Sequence, residues 1–530
     1  MRIVLISSVV IAVLVAGWFF WPGTAPTAES ALVFSLPREP DSLIPILSTT
    51  EESVYISELV FDGLINRTVI SSTGRALYSK GLCQRFQEEG ATRRREITLK
   101  LAEGAMWHNG IPFTADDVLF TWDALHASHS PIVGWLDSLV EEIYKVDEDE
   151  IHLTLKVERS EEALNEILST FKVLPRIFDG TRGEEGKLPL DLREESGVVN
   201  DFNYAPVGTG PYRIAGRRGN RVELERNDNY FLGPPKVPKL VLQRIEAPEL
   251  AVKALSEGAI DLLFDVRPHF YGELGEAPVR PMDYTPYGFT ALIYNTRRTP
   301  LNSARFRAGV NAATDKNGLF ATFTGLRDSQ DFINTSIYPH NYEFVQRDPQ
   351  AYRDSHAYSI ARARSLLAGQ GGKEFTLTLS SELQGEGARR LAQSYAQMLK
   401  EVGIEVQIDD QNQVSFDRAM RERDYEVAFV EFTGLNHLYD FRSLFGDNNV
   451  FGIADSRLAA LLQSYGKTFA LDELEMISKQ VHVRIEELSP ACFLFTTTRR
   501  AYMDSDLRNV SIHPEVGFAT VERWDREDQE

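Results

Sequence analysis

Residues Ile97–Leu101 and Ile151–Val157 alternate apolar and polar side chains with a period of two, so each predicts a strand with one buried face. Phe375–Leu379 and the Ile404, Val406, Ile408 series repeat that pattern, and Ala31–Leu36, Phe289–Tyr294, Val427–Val430 and Cys492–Phe495 read as further strands. A period near 3.6 takes over elsewhere. Val118, Thr121, Trp122 and Leu125 share one helical face, as do Ala388, Leu391, Tyr395, Met398 and Val402, with Gly403 as the C-cap. Leu458, Leu461, Leu462 and Tyr465 form another such face. Val54–Ile65 reads as helical up to the Asp62-Gly63 turn, and Glu249–Ser256 as a short helix closed by Gly258. Beyond Phe289 strands and helices alternate, which predicts an α/β unit with helices flanking its sheet. Residues 180–200 are charged and contain glycine, and are expected to be a surface loop.

The stretch Trp107–Leu125 joins a turn to a helix. Asn109-Gly110 suits a tight turn, Thr114 is placed as N-cap, and Asp117 three residues on completes a variant capping box. Asp116 and Asp117 sit in the first turn, where carboxylates meet the positive end of the helix; a capping role explains both without any chemistry. Gly208 and Gly210, in Pro206–Tyr212, are candidates for positive φ. His126 and His129 stand near the end of the helix as H-x-x-H, and cations at a helix C-terminus are its ordinary use.

Composition narrows the class. A chain of 530 residues exceeds one ordinary core, and 43% hydrophobic with 10% aromatic content supports substantial buried volumes. The net charge of −21 leaves no cationic excess for nucleic acid. Two cysteines, Cys83 and Cys492, are too few for a disulfide scaffold and form no C-x-x-C; they read as two buried thiols, with pairing in an oxidising compartment as the alternative. Residues 3–21 are apolar or small after Arg2, and at roughly 1.5 Å per residue reach about 28 Å, close to a bilayer core. They predict an N-terminal hydrophobic helix that anchors the chain and directs export of the residues C-terminal to it; a removed signal, cut after Ala25 or Ala28, is the alternative. No G-x-S-x-G, H-E-x-x-H or G-x-x-x-x-G-K-[ST] pattern occurs, and no cofactor or metal-ligand set is implied.

The stretch Trp107–Val118 resembles the W-x-x-G-x-P-x-T-A-x-D-V signature of the extracytoplasmic solute-binding proteins of peptide-type ABC importers, family 5. Pro206–Tyr212 resembles its P-V-G-T-G-P-Y turn, and Asn227–Phe231 with Gly233 its N-x-x-Y-aromatic-x-G segment. Ala254–Asp261, Tyr294–Thr296 with Arg305–Ala308, and Ala363–Leu367 come next in the family's order. The resemblance spans about residues 31–520. It implies an α/β, two-lobed clamp with an extra mixed α+β domain: 1–30 anchor or signal and linker, 31–66 first lobe, 67–205 extra domain, 206–285 first lobe again, 286–500 second lobe, 501–530 the last piece of the first lobe. The segment from Arg67 to Asp201 reads as an independent lobe. A small solute, peptide or peptide-like, would be captured between the lobes and passed to an ABC permease by a monomer outside the cytoplasm, without catalysis. The remaining alternatives are a nickel or metallophore complex, an opine, a sugar, a tethered sensor and a hydrolase.

Candidate ligand-contacting residues are assigned from position. Phe432, Asn436, His437, Tyr439 and Asp440 lie beyond the carboxyl end of the Val427–Val430 strand, where ligands collect in α/β sheets. The resemblance places a tryptophan and an ammonium-holding aspartate here; Phe432 replaces the first, and Leu435 or Asn436 stands at the second. Tyr284 and Tyr287 are candidate cleft aromatics, and Arg38 lies in the first loop, which the resemblance puts at the cleft.

Overall fold

The structure is a computed structural model that describes residues 31–526, except 49, 71–75, 87–93, 131, 160, 170–171, 267–269, 285–287, 326–332, 335–336, 338–356, 371–373, 434–443, 447–448, 468–470, 497–498, 514–516 and 519. The N-terminal hydrophobic segment therefore lies outside the described residues. Among the described residues, no helix is long and apolar enough to cross a membrane.

Strand β1 (Ala31–Leu36) sits at the centre of a seven-stranded sheet, between β10 (Lys239–Arg244) and β11 (Leu262–Leu263), and is parallel to both. β9 (Arg221–Arg226) and β8 (Tyr212–Arg218) extend one edge; β18 (Arg499–Asp504) and β12 (Val279–Tyr284) extend the other. Pieces far apart in sequence thus share one sheet. A hairpin of β2 (Ile65–Ile70) and β3 (Ala76–Lys80) comes after helix α1 (Glu51–Val60), which ends earlier than its apolar pattern suggests.

A second, four-stranded antiparallel sheet runs β4 (Cys83–Phe86), β5 (Arg94–Leu101), β7 (Glu150–Arg159), β6 (Val140–Asp147). Ile97, Leu99, Ile151 and Leu153 are buried, as their alternation requires. These residues belong to the same continuous apolar cluster as Phe34, Leu240 and Leu242 of the seven-stranded sheet. The four-stranded and seven-stranded sheets thus share one apolar cluster. The charged 180–200 segment also differs from a plain surface loop. It ends in a helix over Gly197–Tyr204, whose Val199 and Phe202 are buried.

The third sheet runs β15 (Glu405–Asp410), β14 (Glu374–Leu379), β16 (Val427–Thr433), β13 (Gly288–Tyr294), β17 (Ala491–Phe495). β14 is parallel to both neighbours, whereas β13 is antiparallel to β16 and β17. All seven residues of β13 are buried because the sheet has a core on each face. Phe289, Ala291 and Ile293 join one cluster, and Leu292 and Tyr294 the other.

The sequence motifs converge on a joint between α1, the Trp107 turn and the Pro206–Tyr212 turn. Helix α2 (Ala115–Ala127) carries the capping box of Thr114 and Asp117. Buried Asp117 does more: its carboxylate accepts from Trp107 Nε1 at 3.2 Å, from Thr114 N at 3.0 Å and from Arg176 N at 2.9 Å. His108 N donates to Gly208 O at 2.8 Å, and Gly208 N donates back to His108 Nδ1 at 3.2 Å. Nε2 then donates to Gly210 O at 3.0 Å, which sets the neutral tautomer. Buried Asp62 accepts from Asn66 Nδ2 and Tyr230 Oη, each at 2.9 Å, and from Thr209 Oγ1 at 3.1 Å. Burial still pushes its carboxyl above the ordinary value. Gly208 and Gly210 are not in the positive-φ region. They are glycines because the α1 backbone passes too close for a Cβ: one on Gly208 would lie 1.8 Å from Val60 O, and one on Gly210 2.7 Å from the same oxygen.

In the five-stranded unit, buried Arg307 donates to Leu301 O, Leu488 O and Ser489 O at 2.5, 2.5 and 2.9 Å. It thereby satisfies carbonyls at the end of helix α3 (Leu471–Leu488). Burial lowers its pKa to about 10.

Candidate ligand-binding site

The chain passes from the seven-stranded to the five-stranded sheet between Tyr284 and Gly288, and returns between Phe495 and Arg499. The strands that flank the two passages are paired on both sides. Tyr284 pairs with Arg499 in β12–β18, and Thr290 pairs with Phe495 in β13–β17. Buried Thr496 ties them by donating to Gly288 O at 2.8 Å. Two chain passages between two separately packed sheets, with the flanking strands paired at both ends, are the geometry of a hinge.

The described candidates fall on either side of this hinge. Phe432 is partly buried on β16, in register with Phe289, with ring centroids 4.8 Å apart; it serves the core on one side. Tyr284 ends β12 and is 7% exposed, and its hydroxyl has no hydrogen-bond partner among the described residues. Arg38 is largely exposed, and its Nε donates to Glu52 Oε1 at 3.0 Å. Tyr287, Asn436, His437, Tyr439 and Asp440 lie outside the described residues.

Charged residues that sequence patterns do not single out gather beside Tyr284. Glu51 and Glu52 stand in the first turn of α1, Asp265 comes after β11 with φ 55°, and Arg499 opens β18. Arg499 Nη1 lies 3.3 and 3.4 Å from the two Glu51 oxygens, and its Nε lies 3.7 Å from Asp265. Burial works to lower the guanidinium pKa, but the Asp265 and Glu51 charges outweigh it and hold it above the ordinary value. Burial, reinforced by Asp265, pushes the Tyr284 hydroxyl well up, so it stays protonated. In sequence Glu51 and Glu52 are ordinary first-turn carboxylates, and no local pattern links them to Asp265 or Arg499, more than 200 residues away.

Other candidate chemistry resolves as structure. His126 Nδ1 faces Trp122 O at 2.8 Å and Nε2 faces Asp137 at 2.7 Å, so both nitrogens meet acceptors. Partial burial opposes the charge, yet these acceptors raise its pKa. His129 turns to Ala127 O instead. Among the described residues, no group of three or more His, Cys, Asp or Glu gathers as a metal site. Cys83 and Cys492 are both buried and outside any disulfide.

Residues 88–449 match the model of the bacterial extracellular solute-binding proteins, family 5, middle region. The chain belongs to that family. It is 21% identical over 524 residues to the oligopeptide-binding protein AppA of Bacillus subtilis, covering 94% of this chain and 92% of that one. The AppA structure in complex with a nonapeptide aligns with a TM-score of 0.71 and 19% identity, over 94% of this chain and 98% of AppA. CtaP of Listeria monocytogenes, an ABC transporter substrate-binding protein, aligns at 0.78 with 19% identity, over 94% and 99%. NikZ of Campylobacter jejuni in complex with Ni(L-His) aligns at 0.72 with 20% identity, over 95% and 100%. These likenesses establish the family 5 fold, mixed α/β with helices and sheets throughout, and the matched relatives are binding proteins by name.

Proposed function

We propose that this family 5 protein captures a peptide or peptide-like solute between its seven-stranded and five-stranded units and delivers it to an ABC permease. The observation that supports the reading is that the chain passes twice between two separate sheets, with paired strands flanking both passages, a charged, partly exposed cluster on one side and the β16 end on the other. A solute that touches both units stabilises the closed state in proportion to its preference for that state, and a permease that recognises closure reads occupancy. No bond in the solute is made or broken. Residues 3–21 hold the protein at the outer face of the membrane, as a monomer.

The relatives named for oligopeptides and the bound nonapeptide in AppA support this solute class. A nickel complex is the second reading, supported by the likeness to NikZ and by Leu435 or Asn436 standing where the resemblance puts an aspartate. Thermal unfolding of the full-length protein in detergent separates them. A mixed tetrapeptide pool raises the midpoint with concentration, by mass action, and Ni(L-His) does not. A midpoint moved by Ni(L-His) alone overturns the peptide reading.

A further inference from the structure

Cations along the β8–β9–β10 side of the seven-stranded sheet are mostly matched by carboxylates. Arg213 lies 3.3 Å from Glu225, Arg226 2.7 Å from Asp228, Lys239 3.0 Å from Glu223, and Arg244 3.0 and 3.6 Å from Glu39 and Glu246. The tip of the β8–β9 hairpin differs. Among the described residues, Arg217, Arg218 and Arg221 form no ion pair with a carboxylate. Arg221 Nη2 donates to the neutral Gln243 Oε1 at 3.1 Å, and the Arg217 guanidinium sits 5.4 Å from the ring centre of Tyr204, which is 57% exposed. Arg218 is exposed. Glu223 feels the charges of Arg218 and Arg221, but Lys239 already holds it.

The hairpin gains nothing from this arrangement. Arg218 stands directly opposite Arg221 in the register, and like charges so placed destabilise a strand pair. Other groups hold the turn between them. Gly219 takes φ 58°, Arg244 N donates to Asn220 O at 2.8 Å, and Asn220 Nδ2 donates back to Arg244 O at 3.0 Å. The tip is thereby fastened to β10 and carries its guanidinium groups on a fixed base, which lowers the ordering cost of docking. Arginine and tyrosine are enriched at protein interfaces, and the guanidinium fork fits a carboxylate.

The register puts the tip at the end of the sheet from which the chain crosses to the five-stranded unit: Leu36 lies opposite Arg244, and Tyr284 opposite Arg499. The tip is far from those crossings, because β9 stands four strand spacings from β18, about 19 Å at roughly 4.8 Å each. A rotation about the passages displaces this edge more than the strands beside them. We propose that the surface of Arg217, Arg218, Arg221 and Tyr204 docks on an acidic, carboxylate-bearing loop at the outer face of the permease. The docking rests on delivery to a permease, as proposed above, and gives that delivery a surface. A partner that touches this tip and the five-stranded unit together distinguishes the closed form from the open one. An anionic membrane fits less well, because it meets a broad front of a chain whose net charge is −21.

The test replaces Tyr204 by a photo-crosslinking phenylalanine analogue in the full-length protein in its native cells. Mass spectrometry identifies the crosslinked peptides, and the same cells are assayed for uptake of a labelled tetrapeptide pool. The crosslink joins an acidic loop of a permease subunit. The triple substitution Arg217→Glu, Arg218→Glu, Arg221→Glu removes the crosslink and lowers uptake about tenfold or more, while the purified variant binds the pool in calorimetry as the parent does. The same three positions changed to Lys keep the crosslink. A crosslink and uptake unchanged by charge reversal overturn the docking, and so do crosslinks confined to lipid. Loss of pool binding by a variant with the parent's thermal midpoint overturns it as well, since the tip then belongs to the solute site. A parent that binds no tetrapeptide overturns the peptide reading instead, and its crosslink still decides the docking. The parent crosslink needs no charge-reversed variant, so a variant that fails to fold does not blunt the test.

Discussion

Gly208→Ala is the sharpest probe of the joint that unites the sequence motifs. A Cβ built there falls 1.8 Å from Val60 O, 2.6 Å from Val60 C and 3.1 Å from Val60 Cγ1, where ordinary contact begins at 3.4 Å. The first two atoms are backbone and cannot swing aside as a side chain does, so the turn and α1 must separate by roughly 1.5 Å. That separation removes the His108 N to Gly208 O bond of 2.8 Å, the Gly208 N to His108 Nδ1 bond of 3.2 Å and the Gly210 N to Val60 O bond of 2.9 Å. Overpacking costs about 1–3 kcal/mol, and each lost bond about 1 kcal/mol. The expected destabilisation is therefore about 4–6 kcal/mol. Gly216→Ala is the control: its Cβ meets nothing within 4 Å and its φ is not positive, so it should stay within about 0.5 kcal/mol of the parent. Urea unfolding monitored by tryptophan fluorescence reads both, with buried Trp107 adjacent to the joint. Equal midpoints and slopes for the two variants would refute the steric account of Gly208.

The same joint gives two further expected outcomes. Burial lowers the His108 pKa from 6.5 to about 4, against the opposing hydrogen bond to Gly210. As pH falls the unfolded chain takes the proton first, so this contribution is complete above pH 6.5 and is lost between pH 6.5 and about 4. The ring is only partly buried, which holds the loss to the order of 2 kcal/mol. His108→Gln should flatten the pH dependence of the urea midpoint in that window, and an unchanged slope would contradict the tautomer assignment. Asp117→Asn replaces a carboxylate that accepts three bonds by an amide with one acceptor oxygen; a loss of about 2 kcal/mol is expected, because removing a buried charge offsets part of the lost bonding. A neutral result in urea unfolding would show that the Trp107 and Arg176 contacts are dispensable.

Much of the secondary structure is legible locally. Ala31–Leu36, Phe289–Tyr294 and Cys492–Phe495 form strands where their apolar runs stand, and Thr114 with Asp117 caps its helix as the spacing requires. Periodicity reports burial on one face, and capping chemistry reports a helix end; both are properties of neighbouring residues. The end of α1 at Val60 is not legible, because Phe61, Leu64 and Ile65 stay buried after the chain turns extended. The helix over Gly197–Tyr204 is hidden as well, because charged neighbours mask two buried apolar positions.

What the sequence alone determined is many of the strands and helices, the mixed α/β class and the family, since each is written in short-range pattern or ordered motifs. What only the tertiary structure decided is why those motifs exist and where the charges meet. Gly208 and Gly210 answer to the backbone of Val60, almost 150 residues upstream, not to their own φ. Glu51, Asp265, Tyr284 and Arg499 become neighbours only when β1, β11, β12 and β18 join one sheet. Pairing between distant strands is fixed by cooperative burial across the whole sheet, and no local window of residues contains that information.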